Sequence, residues 1–161
     1  MEFEDITRQQ TEFKIHRAII DHLEGQTRKG NETFGCHPPF LNLLFTTIYQ
    51  GRNAEDGFFL KMLGVKPGIA DIIAWYKTHK GLGCSFIEVK TKTGSQSSPQ
   101  KKIQARCSML GIAYVIVRSV QQVHDHLKSV GLKPQHNNVR EPDLRSDAQK
   151  KQDAYNFYKK Q

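Results

Sequence analysis

Gly64-Val-Lys-Pro-Gly-Ile-Ala-Asp71, the apolar run Ile72 to Tyr76, and Cys84-Ser-Phe-Ile-Glu-Val-Lys90 decide how this chain folds. The two apolar runs flank a short polar loop rich in Gly and Lys, which predicts a β-hairpin over about 69–76 and 84–91. Successive side chains on a strand point to opposite faces, so Glu88 and Lys90 share one face and Val89 points the other way. If Asp71 comes up beside them on the neighbouring strand, two carboxylates and an ammonium meet at one spot. That cluster is costly to assemble unless something compensates it, and a hard divalent cation is the natural compensation.

Working outward, Ser97-Ser98-Pro99 predicts a helix start with Pro in the first turn, running to Leu110 and ended by Gly111. Ile112 to Arg118 is a near-continuous apolar run, as in a strand buried on both faces. Val120 to Val130 is amphipathic, with Val123, Leu127 and Val130 inward and Gly131 closing it. On the other side, residues 8–25 have helical periodicity through Phe13, Ile19, Ile20 and Leu23, and Gly25 is the stop. Thr27 to Pro39 reads as a loop, Leu43 to Tyr49 as a strand, and Ala54 to Leu63 as a short helix closed by Gly64. The order predicts one mixed α/β domain over 1–132, a small central mixed sheet with helices on both faces. Residues 133–161 read as a polar tail, loose over Pro134 to Lys150, with Ala154 to Tyr158 docking back as a short helix or packing on a partner.

Composition narrows the partners. The 161 residues suit one core. No apolar run approaches the roughly 20 residues a membrane span needs. The start Met-Glu-Phe-Glu-Asp is acidic and unlike a secretory signal, which leads to the expectation of an intracellular, cytoplasmic protein. A bacterial or phage origin is a separate expectation. Cys36, Cys84 and Cys107 are odd in number and far apart, against a disulfide framework and against a zinc site. The formal net charge is +8. Lys90, Lys92, Lys101, Lys102 and Arg106 follow one another with no acidic residue between them, which favours nucleic acid over mere solubility.

Asp71 followed by Glu88-Val89-Lys90 resembles the PD-(D/E)XK nuclease signature and, more closely, the virus-type replication-repair nuclease (VRR-NUC) family. Leu60-Lys61 with Gly64-Val65, Gly68 and Asp71 is similar to that family's first segment, and Ile87 to Lys90 to its Glu-X-Lys strand. Ser97 to Gln100 is similar to its helix start, Gly111 to Val115 to its next strand, and Ser119 to Gly131 to its closing helix. The resemblance spans residues 8–132. Ala70 stands where the family usually has Pro, a position that shapes the strand and offers no ligand atom.

The resemblance implies a restriction-endonuclease-like fold and a Mg²⁺- or Mn²⁺-dependent DNA endonuclease. Asp71 and Glu88 would bind the metal with the Val89 carbonyl, and Glu12 on the first helix would reach it through a water. Lys90 would sit by the attacking water and the scissile phosphate, and Gln100 would orient water or Lys90. Arg52, Lys61, Lys92 and Lys101 are the candidates for phosphate contacts. Stand-alone members resemble Holliday-junction resolvases in acting as homodimers on branched DNA, so a junction resolvase-like dimer is expected. Three other readings stay open: a DNA-binding module without catalysis in a phage or repair complex, a sequence-specific restriction-type enzyme, and, residue by residue, ordinary solvated charges in which Glu88 and Lys90 form an exposed ion pair. His16, which shares a helix face with Glu12, and His22 are expected at the surface or at caps. Trp75 and Tyr76 are expected to pack the core and hairpin.

Overall fold

A computed structural model of the chain describes residues 3–29, 32–34, 37–48 and 54–159. The long first helix α1 (Phe3–Leu23) is followed by two short paired strands, β1 (Thr27–Lys29) and β2 (Glu32–Phe34). Then come β3 (Leu43–Thr47), α2 (Ala54–Met62), β4 (Ile72–Thr78), β5 (Gly81–Val89), α3 (Ser98–Met109), β6 (Ala113–Val117), α4 (Val120–Ser129) and α5 (Asp147–Tyr158). The main sheet has the order β3-β4-β5-β6, antiparallel except for the parallel β5–β6 pair, which α3 connects. The mixed α/β architecture read from the sequence is therefore present.

The period of two sorts the sheet into its faces. Ile72, Ala74 and Tyr76 of β4, with Ile87 and Val89 of β5, are buried toward Ile15, Ile19 and Leu23 of α1 and Val120, Val123 and Leu127 of α4. Each buried Val, Leu or Ile among them contributes roughly 1.5–3 kcal/mol by leaving water. Glu88 points to the opposite face, where α3 supplies its partner Gln100.

Several expectations change. The β4–β5 ladder continues through Lys77↔Leu82 and Thr78↔Gly81, so the hairpin loop is only His79-Lys80, with Gly81 at φ +114°. Thr27 to Pro39 is not all loop, because β1 and β2 pair inside it. β6 is not buried on both faces. It closes the sheet at an edge, and only Val117 in it is fully buried. The stretch after Lys133 is not loose throughout. The Gln135 N–H donates to the Pro39 carbonyl at 2.8 Å, and Glu141 accepts from the first amides of α4. Ala154 to Tyr158 is helical as expected, but Tyr155 and Phe157 stay exposed.

Candidate active site

Strand register brings the two acids together. Ile72 pairs with Ile87, so one step further Asp71 stands opposite Glu88. Asp71 is held from both sides: its carbonyl accepts the Ile48 N–H at 2.9 Å, and its Oδ2 accepts the Val89 N–H at 2.8 Å. Its approach depends on Gly68. That residue has φ +81°, and a Cβ there would lie 2.4 Å from the Pro99 carbonyl carbon, so only Gly lets the Asp71 loop touch the start of α3.

Glu88 is completely buried. Its Oε1 meets Lys90 Nζ at 2.5 Å and also accepts from Gln100 Nε2. Its Oε2 accepts from the Tyr114 hydroxyl at 3.2 Å. Lys90, 7% exposed, reaches Glu12 of α1 as well, at 3.6 Å. The open reading of Glu88 and Lys90 as an exposed ion pair therefore fails, because both are buried.

Gln100 is aimed by the local rule that starts α3. Ser97 is the N-cap: its Oγ accepts the Gln100 N–H, and its own N–H donates to Gln100 Oε1 at 2.8 Å, a reciprocal capping box. With the amide oxygen used in the cap, the amide NH₂ turns to Glu88. Beyond Lys90 the chain is pinned by Arg118, whose guanidinium donates to the Thr91 carbonyl and, at 2.9 Å, to the Gly94 carbonyl.

The electrostatics follow from this crowding. Burial first, then the nearby Asp71 charge, push Glu88 up to about 7, against the pull of Lys90 and Tyr114. Burial draws Lys90 down, but its contacts with Glu88 and the charges of Glu12 and Asp71 outweigh it, and its pKa is raised. Burial and the Glu88 charge raise Tyr114. His16 is half-buried with its pKa lowered, chiefly by burial, although Asp71 and Glu12 pull it up.

The structure thus brings together Asp71, Glu88, Lys90, Gln100 and Glu12. Lys92 and Lys101 are exposed close to it in sequence, while Lys61 is exposed on α2. Arg52 lies outside the described residues. His16 and Tyr114 complete the cluster and carry only weak sequence signals, a four-residue offset from Glu12 and a place in a strand pattern. His22 is neither a surface nor a cap residue: it is buried, with Nε2 3.0 Å from His124 Nδ1. Tyr76 packs inward as expected and bonds Ser85 at 3.0 Å, while Trp75 is 42% exposed.

Among the described residues no group of three His, Cys, Asp or Glu side chains is gathered for a metal. The Asp71 and Glu88 carboxylates offer oxygen ligands of the kind Mg²⁺ takes.

No family model matches the chain, and no curated protein does. A solved structure described as a VRR_NUC domain protein is similar to it, at 19% identity over 73% of this chain and 84% of that one, with a TM-score of 0.46. Among the described residues, no helix is long and apolar enough to cross a membrane.

Proposed function

We propose that this chain is a Mg²⁺- or Mn²⁺-dependent DNA endonuclease with a restriction-endonuclease-like fold of the VRR-NUC type, hydrolysing phosphodiester bonds at Asp71, Glu88, Lys90 and Gln100. One observation carries the reading: Glu88 is buried with its pKa pushed up to about 7, beside a second carboxylate and a buried lysine. Groups displaced this far from their ordinary state cluster where chemistry is done.

Asp71 and Glu88, with the Val89 carbonyl, would hold the cation, and Glu12 would reach it through a water. When bound, a divalent cation supplies Lewis-acid stabilisation of charge on the phosphodiester. Lys90 is the chain's own fixed positive charge, held by Glu88 and Glu12 so that it can face developing charge on the phosphate without reorganising. Gln100 and Tyr114 act through Glu88, fixing its oxygens. Lys61, Lys92, Lys101 and Arg52 are assigned to backbone phosphates, which set position and read no bases.

Branched DNA is the proposed substrate and a homodimer the proposed form. Exposed Phe58, Phe59, Met62 and Leu63 on and just after α2, and Tyr155 and Phe157 on α5, supply apolar surface for a second copy. The alternative, a DNA-binding module without catalysis, is favoured by one feature: both carboxylates are engaged internally, Asp71 by Val89 and Glu88 by Lys90 and Gln100. Labelled four-way junction, flap and linear duplex, incubated with Mg²⁺ or Mn²⁺, separate the readings. Cation-dependent cutting of the branched forms is expected, binding without cutting favours the alternative, and a defined cut site on plain duplex marks a restriction-type enzyme. Sedimentation showing only monomer together with full junction cleavage removes the dimer.

A further inference from the structure

The opening of about 690 Å³ on the outer side of α1 is walled by that helix, by His37 and by residues 136–142. Past Phe13 and Lys14 it meets a second depression of about 400 Å³, completed by Gln9 and Gln10. Phe13 is 66% exposed along this path. Lys14, Arg17 and Arg140 surround it. The two acids present are already committed: Asp21 accepts from Arg17, and Glu141 accepts the Val120 and Gln121 amides at 3.0 and 2.8 Å. Lys14 and Arg140 have no carboxylate partner among the described residues.

Glu12, which reaches Lys90, is the chain neighbour of Phe13, and α1 turns Phe13 and Arg17 (four residues apart) onto one stripe about 100° round the helix from Glu12. Exposed aromatic surface interleaved with cations fits a ligand of flat rings and evenly spaced negative charge. Stacking on an exposed ring needs an unpaired base, which favours a single strand over a duplex whose bases are already stacked on one another.

We propose that this groove holds a single-stranded tail of a nucleic-acid substrate, with a base stacked on Phe13 and phosphates on Lys14 and Arg140. The inference deepens the nuclease reading and rests on it only for the tail's link to the cleavage site. The full chain in EDTA is titrated into fluorescein-labelled oligo(dT) and, separately, into a blunt duplex, with anisotropy as the readout. Phe13→Ala is expected to weaken oligo(dT) binding about tenfold. Lys14→Glu with Arg140→Glu is expected to weaken it as much and to lower its salt dependence. Duplex binding stays unchanged in Phe13→Ala and falls less than oligo(dT) binding in the double variant. Phe13→Trp, a second probe that keeps an aromatic ring, should bind like the parent and lose fluorescence as oligo(dT) is added. Absence of oligo(dT) binding by the parent, unchanged binding in Phe13→Ala, or equal loss toward duplex overturns the proposal. Cleavage is not read in this experiment. A protein that cuts DNA but binds oligo(dT) without Phe13 loses the groove and keeps the nuclease, and one that binds through Phe13 without cutting does the reverse.

Discussion

The Val89 amide donates to Asp71 Oδ2 at 2.8 Å, so the residue between Glu88 and Lys90 ties its backbone to the carboxylate of the neighbouring strand. Asp71 is thus placed by the sheet itself, and Glu88 by α3 through Gln100. The site tightens or loosens with the contact between those two elements.

Gln100 serves that contact with both ends of one amide. Gln100→Ala removes the side-chain half of the capping box and a donor to Glu88, leaves the Ser97 cap on the residue-100 amide, and should cost about 1–2 kcal/mol in urea denaturation. Gln100→Glu can still cap Ser97 but sets a third carboxylate against Glu88. It is expected to keep α3, seen in unchanged far-ultraviolet circular dichroism, and to lose cleavage. Parental activity in Gln100→Glu would count against this role.

Gly68 is the hinge of the Asp71 approach. Gly68→Ala combines a left-handed backbone with a Cβ 2.4 Å from the Pro99 carbonyl carbon. Stability should fall by about 1–3 kcal/mol or more, and cleavage should fall with it because Asp71 and Gln100 move apart. Gly57, which has open space around it, is the control, and Gly57→Ala should leave cleavage intact.

Much of this site was readable from order and spacing. Asp71, Glu88 and Lys90 meet because strand alternation and hairpin pairing are local rules, and Ser97-x-x-Gln100 is a capping pattern visible in four residues. What escaped depends on distant partners. The apolar run of β6 looks the same whether one face or both are covered, and here it lies at an edge. His16 and His22 differ in their surroundings, the charges of Asp71 and Glu12 for one and the ring of His124 for the other. The polar segment 135–141 has no pattern of its own, yet it is tied down by Pro39 and by the open amides of α4.

The buried His22–His124 pair makes stability depend on pH. Burial first, then the neighbouring His124 and His136, lower His22 from 6.5 to about 4. Between those values the unfolded chain binds the extra proton, so this contribution is present above 6.5 and is lost as pH falls toward 4. It amounts to at most about 3 kcal/mol. Glu88 works in the opposite sense: its pKa is raised to about 7, so its contribution is present at acid pH and lost as pH rises from 4.5. Urea denaturation of the parent against His22→Asn isolates the first effect. The stability gap between them should narrow from pH 7 to pH 4, and a constant gap would contradict it.

Cation binding should be visible without turnover. At pH 8 Glu88 is ionised beside Asp71, and Mg²⁺ binding only the folded chain raises its stability. At a hundredfold excess over Kd the gain is about 2.7 kcal/mol, and each kcal/mol raises Tm by roughly 2–4 °C at this chain length. Asp71→Asn should abolish the rise, while an equal rise in that variant would place the cation elsewhere.

The most direct test is cleavage of end-labelled branched DNA by the parent, Asp71→Asn and Lys90→Ala, each with Mn²⁺ and with EDTA. The expected result is cutting by the parent only with the cation, and a loss of at least about a hundredfold in each variant. Intact DNA with the parent in Mn²⁺, or undiminished cutting by Asp71→Asn, would contradict a hydrolytic site at these residues.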